Sequence, residues 1–125
     1  SAFRRFFTGV TDTAEKAKDE RLRTRYYRAE QRKVCQAVVE FVKREKDLKL
    51  VHANDNRGEI MIEFRDLFGF VHDLVVTVFV VTPVQSAVDM HTAMRARMFD
   101  FGFFNVKLIT RIYQYLDKQF TRVNQ

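Results

Sequence analysis

The residues best placed to do chemistry lie between positions 89 and 105. His91, Arg95 and Arg97 put three potential cations along one strand edge, followed by Asp100 and Asn105 at the approach to a helix. Such a row beside a helix N-terminus suits an anion such as a phosphate or a carboxylate. The plainer alternative is a solvated sheet face on which Arg95 and Arg97 pair with Glu63, Asp89 or Asp100, because exposed ion pairs are common and individually weak. The three histidines, His52, His72 and His91, lack the spacing of a helical zinc motif, so surface or hydrogen-bonded imidazoles are expected. The single cysteine, Cys35, falls on the apolar edge of a helix with no histidine nearby, where a buried inert thiol is expected. Four isolated glycines, at 9, 58, 69 and 102, form no phosphate-cradling loop, and neither Ser1 nor Ser86 sits in a nucleophile elbow. The pattern therefore names no catalytic residue, no metal-ligand set and no cofactor.

A second constellation is electrostatic. Residues 1–33 hold ten Lys/Arg against five Asp/Glu, while residues 34–125 hold twelve against eleven, so the net charge of +6 is concentrated at the N-terminal end. Arg4, Arg5, Arg21, Arg23, Arg25, Arg28, Arg32 and Lys33 are candidates to contact the phosphates of a nucleic acid or of an anionic membrane surface. Phe6, Phe7, Tyr26 and Tyr27 would then stack on bases or enter the headgroup layer. The alternative is a solvated helix, since residues 13–28 interleave both signs.

These side chains need elements to position them. A chain of 125 residues with 46% hydrophobic and 30% charged positions is large enough for one core and excludes a disulfide scaffold, a repeat array and a two-domain enzyme. Its longest apolar run, residues 74–81 interrupted by Thr77, is far shorter than the roughly 20 residues of a membrane span. The N-terminus shows no signal-peptide pattern, and a cytoplasmic location is the default expectation.

Phe3, Phe6, Phe7 and Val10 share the spacing of one helix face, and the polar stretch that follows reads as a linker or exposed helix, giving a basic arm over residues 1–23. The α+β domain expected over 24–125 starts with a helix capped by Thr24 and ending near Asp47, its stripe running through Tyr27, Val34, Val38, Phe41 and Val42. Four strands follow. Leu48 to Ala53 leads into the turn 54–58, and Glu59 to Arg65 alternates with Ile60, Ile62 and Phe64 on one side. Val71 to Thr82 is apolar on both parities and stops at Pro83, and residues 87–98 alternate again. Val106, Ile109, Tyr113, Leu116 and Phe120 define a closing helix.

The expected architecture is thus α-β-β-β-β-α, a four-stranded antiparallel sheet with both helices on one face. The opposite face would carry Glu63, Arg65, Asp89, His91, Arg95 and Arg97 together with Met61 and apolar residues of the central strand such as Phe79. A face so mixed needs a cover, which the N-terminal arm, a second copy of the chain or a ligand could supply.

The segment Asp89-Met90-His91-Thr92-Ala93-Met94-Arg95, with Asp100-Phe101-Gly102 and the helix entry Asn105 to Ile109, resembles the C-terminal motif of an uncharacterised bacterial family. That family is the domain of unknown function numbered fourteen ninety-nine, whose motif runs approximately D-x-R-S-x-S-R-x-G-x-x-D-x-G-x-N-x-x-R-I. Asp89, Arg95, Asp100 and Gly102 match in place, whereas His91, Thr92, Met94 and Arg97 replace motif residues and Asn105 comes one position late. The resemblance spans about a quarter of the chain and implies a bacterial α+β domain without assigning an activity. The functional expectation is a small non-enzymatic module that associates with itself or with a protein partner. Nucleic-acid or membrane binding through the basic segment is the alternative, and an anion site at the end of the fourth strand is the next.

Overall fold

The computed structural model describes residues 10–14, 17, 19–94 and 103–123. In chain order the elements are β1 (Val10–Asp12), a 3-10 turn (Glu20–Leu22), β2 (Arg25–Tyr27), α1 (Gln31–Arg44), β3 (Leu48–Asn54), β4 (Glu59–Arg65), β5 (Val71–Thr82), β6 (Gln85–Met94) and α2 (Phe103–Gln119). The fold is α+β, an antiparallel sheet with two helices, as the periodicity predicts. The strands from β3 to β6 form the expected meander.

The sheet has five strand positions, not four. Its order is β1-β6-β5-β4-β3, and β2 also pairs with β6. Val10 lies opposite Ala93 and Tyr27 opposite Ser86, so β1 and β2 run end to end along β6 as one broken edge strand. Thr13 fills the break: its N–H donates to the Met90 carbonyl at 2.8 Å, and its hydroxyl accepts from the Met90 N–H at 2.7 Å. These bonds satisfy an edge that would otherwise present unpaired amides and carbonyls.

Two expectations are corrected here. The separate basic arm is not supported, because Val10–Asp12 is paired in the sheet and Leu22 is buried. Phe3, Phe6 and Phe7 lie outside the described residues. The first helix begins at Gln31, not Thr24, because residues 25–27 are drawn into the sheet by the open edge of β6. Thr24 instead donates its hydroxyl to Asp89 at 2.6 Å.

Alternation builds the core. Ile60, Ile62 and Phe64 of β4, Leu74, Val76 and Val78 of β5, and Val88 and Met90 of β6 turn inward beneath Val34, Val38, Phe41 and Val42 of α1 and Leu108, Ile109, Ile112, Tyr113 and Leu116 of α2. The helix residues recur at three- and four-residue spacing, the stripe that one sheet face can bury. Polar bolts fix α2 against the broken edge. Tyr113 donates to the Val88 carbonyl at 2.9 Å, while Asp117 accepts from Tyr27 at 2.7 Å and Arg25 at 2.6 Å. Burial pushes both phenols up from their ordinary value, and for Tyr27 the Asp117 carboxylate adds to the effect. The helices leave the opposite face of the sheet uncovered, with Met61 44% and Phe79 50% exposed.

Candidate functional site

The expected anion row does not come together among the described residues. His91 is exposed on β6, in register with Val75 on one side and Asp12 on the other. Arg95, Arg97 and Asp100 lie outside the described residues. Asn105 is fully buried on the helix side of the sheet, where Asn105 Oδ1 stands 2.6 Å from His72 Nδ1. It is a core residue in the first turn of α2, not part of an open edge.

The basic candidates are dispersed. Arg21 pairs with Asp19 at 2.8 Å and Arg23 lies 3.7 Å from Glu20. Arg25 is largely enclosed, bound to Asp117 with its guanidinium 4.3 Å from the centre of the Tyr113 ring. Arg28, Arg32 and Lys33 are exposed, while Arg4 and Arg5 lie outside the described residues. Tyr27 is fully buried, so it has no face to offer a base or a headgroup. Cys35 matches its expectation: burial pushes its thiol up to about 11, assisted by the charge of Asp55. Ser86 is also engaged, its hydroxyl donating to the Ala29 carbonyl at 2.6 Å.

The densest polar arrangement is one that the sequence pattern left unassembled. His72 sits on the inward parity of β5 with Asp66 Oδ2 2.8 Å from its Nε2 and the Asn105 amide against its Nδ1. An ionised carboxylate only accepts, so Nε2 carries the proton and donates to Asp66, while Asn105 can present either oxygen or NH₂ to Nδ1. The other Asp66 oxygen accepts from the Phe68 and Phe70 N–H groups at 2.8 and 3.1 Å, which shapes the loop of residues 66–70. Burial pushes the Asp66 carboxyl up, but the bonds from His72, Phe70 and Phe68 together hold it below the ordinary carboxylate value. Phe64 and Phe104 flank the imidazole, at 5.2 and 6.1 Å between ring centres. With both nitrogens engaged and the side chains of His72 and Asp66 wholly enclosed, this node clamps the loop to the first turn of α2 and offers no base to a substrate. Its one visible trace in the sequence is a histidine at an inward-facing strand position.

Beside the clamp a cleft of about 520 Å³ opens between the β4–β5 loop and α2. Phe64, Leu67, Phe104 and Leu108 give it apolar walls, and Arg21, Arg65, Lys107 and Arg111 stand around it with Asp47. Arg111 is held in a fork: its guanidinium donates to both Asp47 oxygens at 2.8 and 2.9 Å and to Glu45 at 2.6 Å. The hydrogen bond from Arg111 keeps the Asp47 carboxyl below its usual range despite partial burial. Among the described residues no group of three His, Cys, Asp or Glu side chains converges on a common point that could hold a metal ion, and no helix is long and apolar enough to cross a membrane.

A family model described as Protein of unknown function (DUF1499) matches residues 8–116. The chain belongs to this family. The DUF1499 match takes in all six strands, α1 and most of α2, and so reaches well beyond the C-terminal motif around Asp89 and Gly102. No curated protein matches the DUF1499 chain in sequence. A solved structure similar to it is that of TTHA0849 from Thermus thermophilus, at 12% sequence identity and a TM-score of 0.42, over 84% of this chain and 86% of the other.

Proposed function

We propose that this DUF1499 domain is a non-enzymatic binding module whose uncovered sheet face docks against a second copy of the chain. The observation that carries the reading is the exposed apolar surface on that face. Met61 stands opposite Val75 across β4 and β5, Phe79 follows on the same side of β5, and the surface runs into Val80, Val81 and Val84 at the exposed hairpin tip. Met61 and Phe79 are already about half-buried, so removing the remainder from water is worth roughly 1 kcal/mol for each side chain. A two-fold axis over this surface sets like apolar patches together and leaves the register row Lys49, Glu63 and Asp73 at a wetted rim. The face is a better route to association than the free edge, because the register of β3 breaks at Val51 and Lys49 guards the strand. Binding to nucleic acid or an anionic membrane has less support, since Arg25 and Tyr27 already serve the fold.

Light scattering coupled to gel filtration tests the proposal. The protein should run as a dimer at high micromolar concentration, and the double substitution Met61→Asp with Phe79→Asp should return it to a folded monomer, with an unchanged circular-dichroism spectrum and a melting temperature that no longer depends on protein concentration. A wild-type protein that stays strictly monomeric at that concentration overturns it.

A further inference from the structure

We propose that the tip of the β5–β6 hairpin seats this domain on an anionic membrane surface, its valines entering the headgroup boundary while cations at its root meet lipid phosphates. The contact does not rest on the docking of two copies. β4 ends its pairing with β5 at Thr77, so the hairpin runs on beyond that side of the sheet. From the Val80–Ser86 pair it reaches about 7–10 Å further to its turn, at roughly 3.3 Å per residue. Residues 79–84 are all exposed, and Thr82 is the one polar side chain in that stretch. No charged residue occurs between Leu74 and Val88, although an exposed strand end is normally guarded by charge. Val80 is decisive. It continues the inward parity of Val76 and Val78, both fully buried, yet it is 61% exposed. It therefore lies on the helix side of the hairpin, where a copy docked on the opposite face leaves it wet. The turn also loses little on leaving water, since Pro83 has no N–H and the Val84 N–H donates to the Thr82 hydroxyl at 3.2 Å.

The positive charge lies at the root of the same hairpin. Ser86 donates to the Ala29 carbonyl at 2.6 Å and Gln31 to the Val78 carbonyl at 2.7 Å, so residues 28–33 are tied to both strands just below the tip. The Arg28 N–H donates to the Thr121 carbonyl at 2.8 Å, which brings Arg122 to this end as well. Arg28, Arg32, Lys33 and Arg122 are exposed, and none has an ion-pair partner among the described residues. The carboxylates of the neighbouring segments are Glu30 and Asp55, while Arg57 and Glu59, 3.1 Å apart, offset each other. Folding of α1 does not account for Arg32 and Lys33, because its first turn has no acidic residue and cations there oppose the helix dipole. Apolar groups that sink about 5–10 Å with cations at the level of the phosphates are what an interfacial anchor requires. A nucleic acid fits less well, since bases stack on aromatic faces and Phe79 is the only aromatic residue of the tip.

Flotation of the full chain with vesicles of phosphatidylglycerol or of phosphatidylcholine tests the contact. Binding to the anionic vesicles is expected, much weaker on the zwitterionic ones and reduced by added salt. Arg28→Gln, Arg32→Gln and Lys33→Gln should each weaken it about fivefold, and the triple variant about a hundredfold. Val80→Asp with Val84→Asp should abolish it. Both side chains are already exposed, so the circular-dichroism spectrum of that variant should match the wild type. Light scattering keeps the two readings apart. A wild-type chain that is monomeric yet floats supports this contact while the docking of two copies falls, and a tip variant that stays dimeric but no longer floats also supports it. Absence of flotation with phosphatidylglycerol vesicles overturns the proposal, as does flotation that the tip variant or the triple variant leaves unchanged. Salt-sensitive binding of a single-stranded oligonucleotide without flotation overturns it in favour of a nucleic-acid partner.

Discussion

Replacing His72 with alanine should destabilise the protein by about 3–5 kcal/mol, because it empties a fully buried site and strips a buried carboxylate of a hydrogen-bond donor. His72 is fully buried between Phe64 and Phe104, so the substitution leaves a void as well as an Asp66 carboxylate with one side unsatisfied. Against a domain stability of about 5–15 kcal/mol, this is a large share. Asn105→Ala should be milder, about 1–3 kcal/mol, because it removes a neutral partner and leaves the Asp66 bond in place. Urea denaturation at neutral pH measures both.

The pH dependence has a definite sign. The Asp66 carboxyl is held below its unfolded value, so its stabilising contribution is complete above that value, about 3.9, and is lost as pH falls through the lower folded value. In the His72→Ala protein the upward push of burial remains while the bond from His72 is gone. Acid unfolding followed by circular dichroism should therefore begin at a higher pH than in the wild type. An unchanged acid midpoint would show that the two Phe amide bonds suffice to hold the charge.

Gly58→Ala is the second large effect, a loss of about 3 kcal/mol. Gly58 closes the β3–β4 turn at φ 69°, which alone disfavours an L side chain by about 1–2 kcal/mol. An added methyl would also collide with the backbone oxygen of Val78 and with the Gln31 side chain. Those atoms are not free to withdraw. Val78 N–H donates to the Gly58 carbonyl at 2.7 Å, and Gln31 Nε2 donates to the Val78 carbonyl at 2.7 Å, so turn, strand and the start of α1 are joined at this point. Overpacking of such a junction adds about 1–3 kcal/mol. Gly69→Ala provides the internal comparison. Its φ of 88° is equally unfavourable, but a methyl there meets nothing within 4 Å, so only the conformational part, about 1–2 kcal/mol, is expected. Equal losses at the two positions would exclude the steric account.

The contrast between legible and illegible parts of this molecule follows the range of the interactions. The strand over 59–65 announces itself because a half-buried strand writes its two faces into alternate residues, a pattern contained in seven positions, and 71–82 does so through a run of β-branched residues that stops at Pro83. The stripe from Val106 to Leu116 is equally local. Three-residue strands have no room for a period, and Arg25-Tyr26-Tyr27 is a strand only because β6 lies alongside. Tyr27 extends the apolar spacing of Val34 and Val38, which is why a helix is expected there, and it does reach the core, but from a strand. The His72 clamp is harder still. Asn105 and His72 are 33 residues apart, and nothing in either neighbourhood marks the other. The cleft is likewise invisible in sequence, since Arg65, Lys107 and Arg111 converge only after β4 and α2 are docked.

The broken edge strand makes the first part of the chain a guard for one of the last strands. Residues 10–27 are synthesised well before Ala93, their partner at the far end, so during translation they wait unpaired for most of the domain to emerge. A fragment starting at Arg28, the natural choice for removing the basic residues, would strip β6 of its neighbour along much of its length. Such a fragment would invite strand addition by other molecules, and its altered behaviour in a nucleic-acid or vesicle assay would report a lost edge as readily as lost charge. Charge-reversing substitutions at Arg28, Arg32 and Lys33, which leave the edge sealed, separate the two.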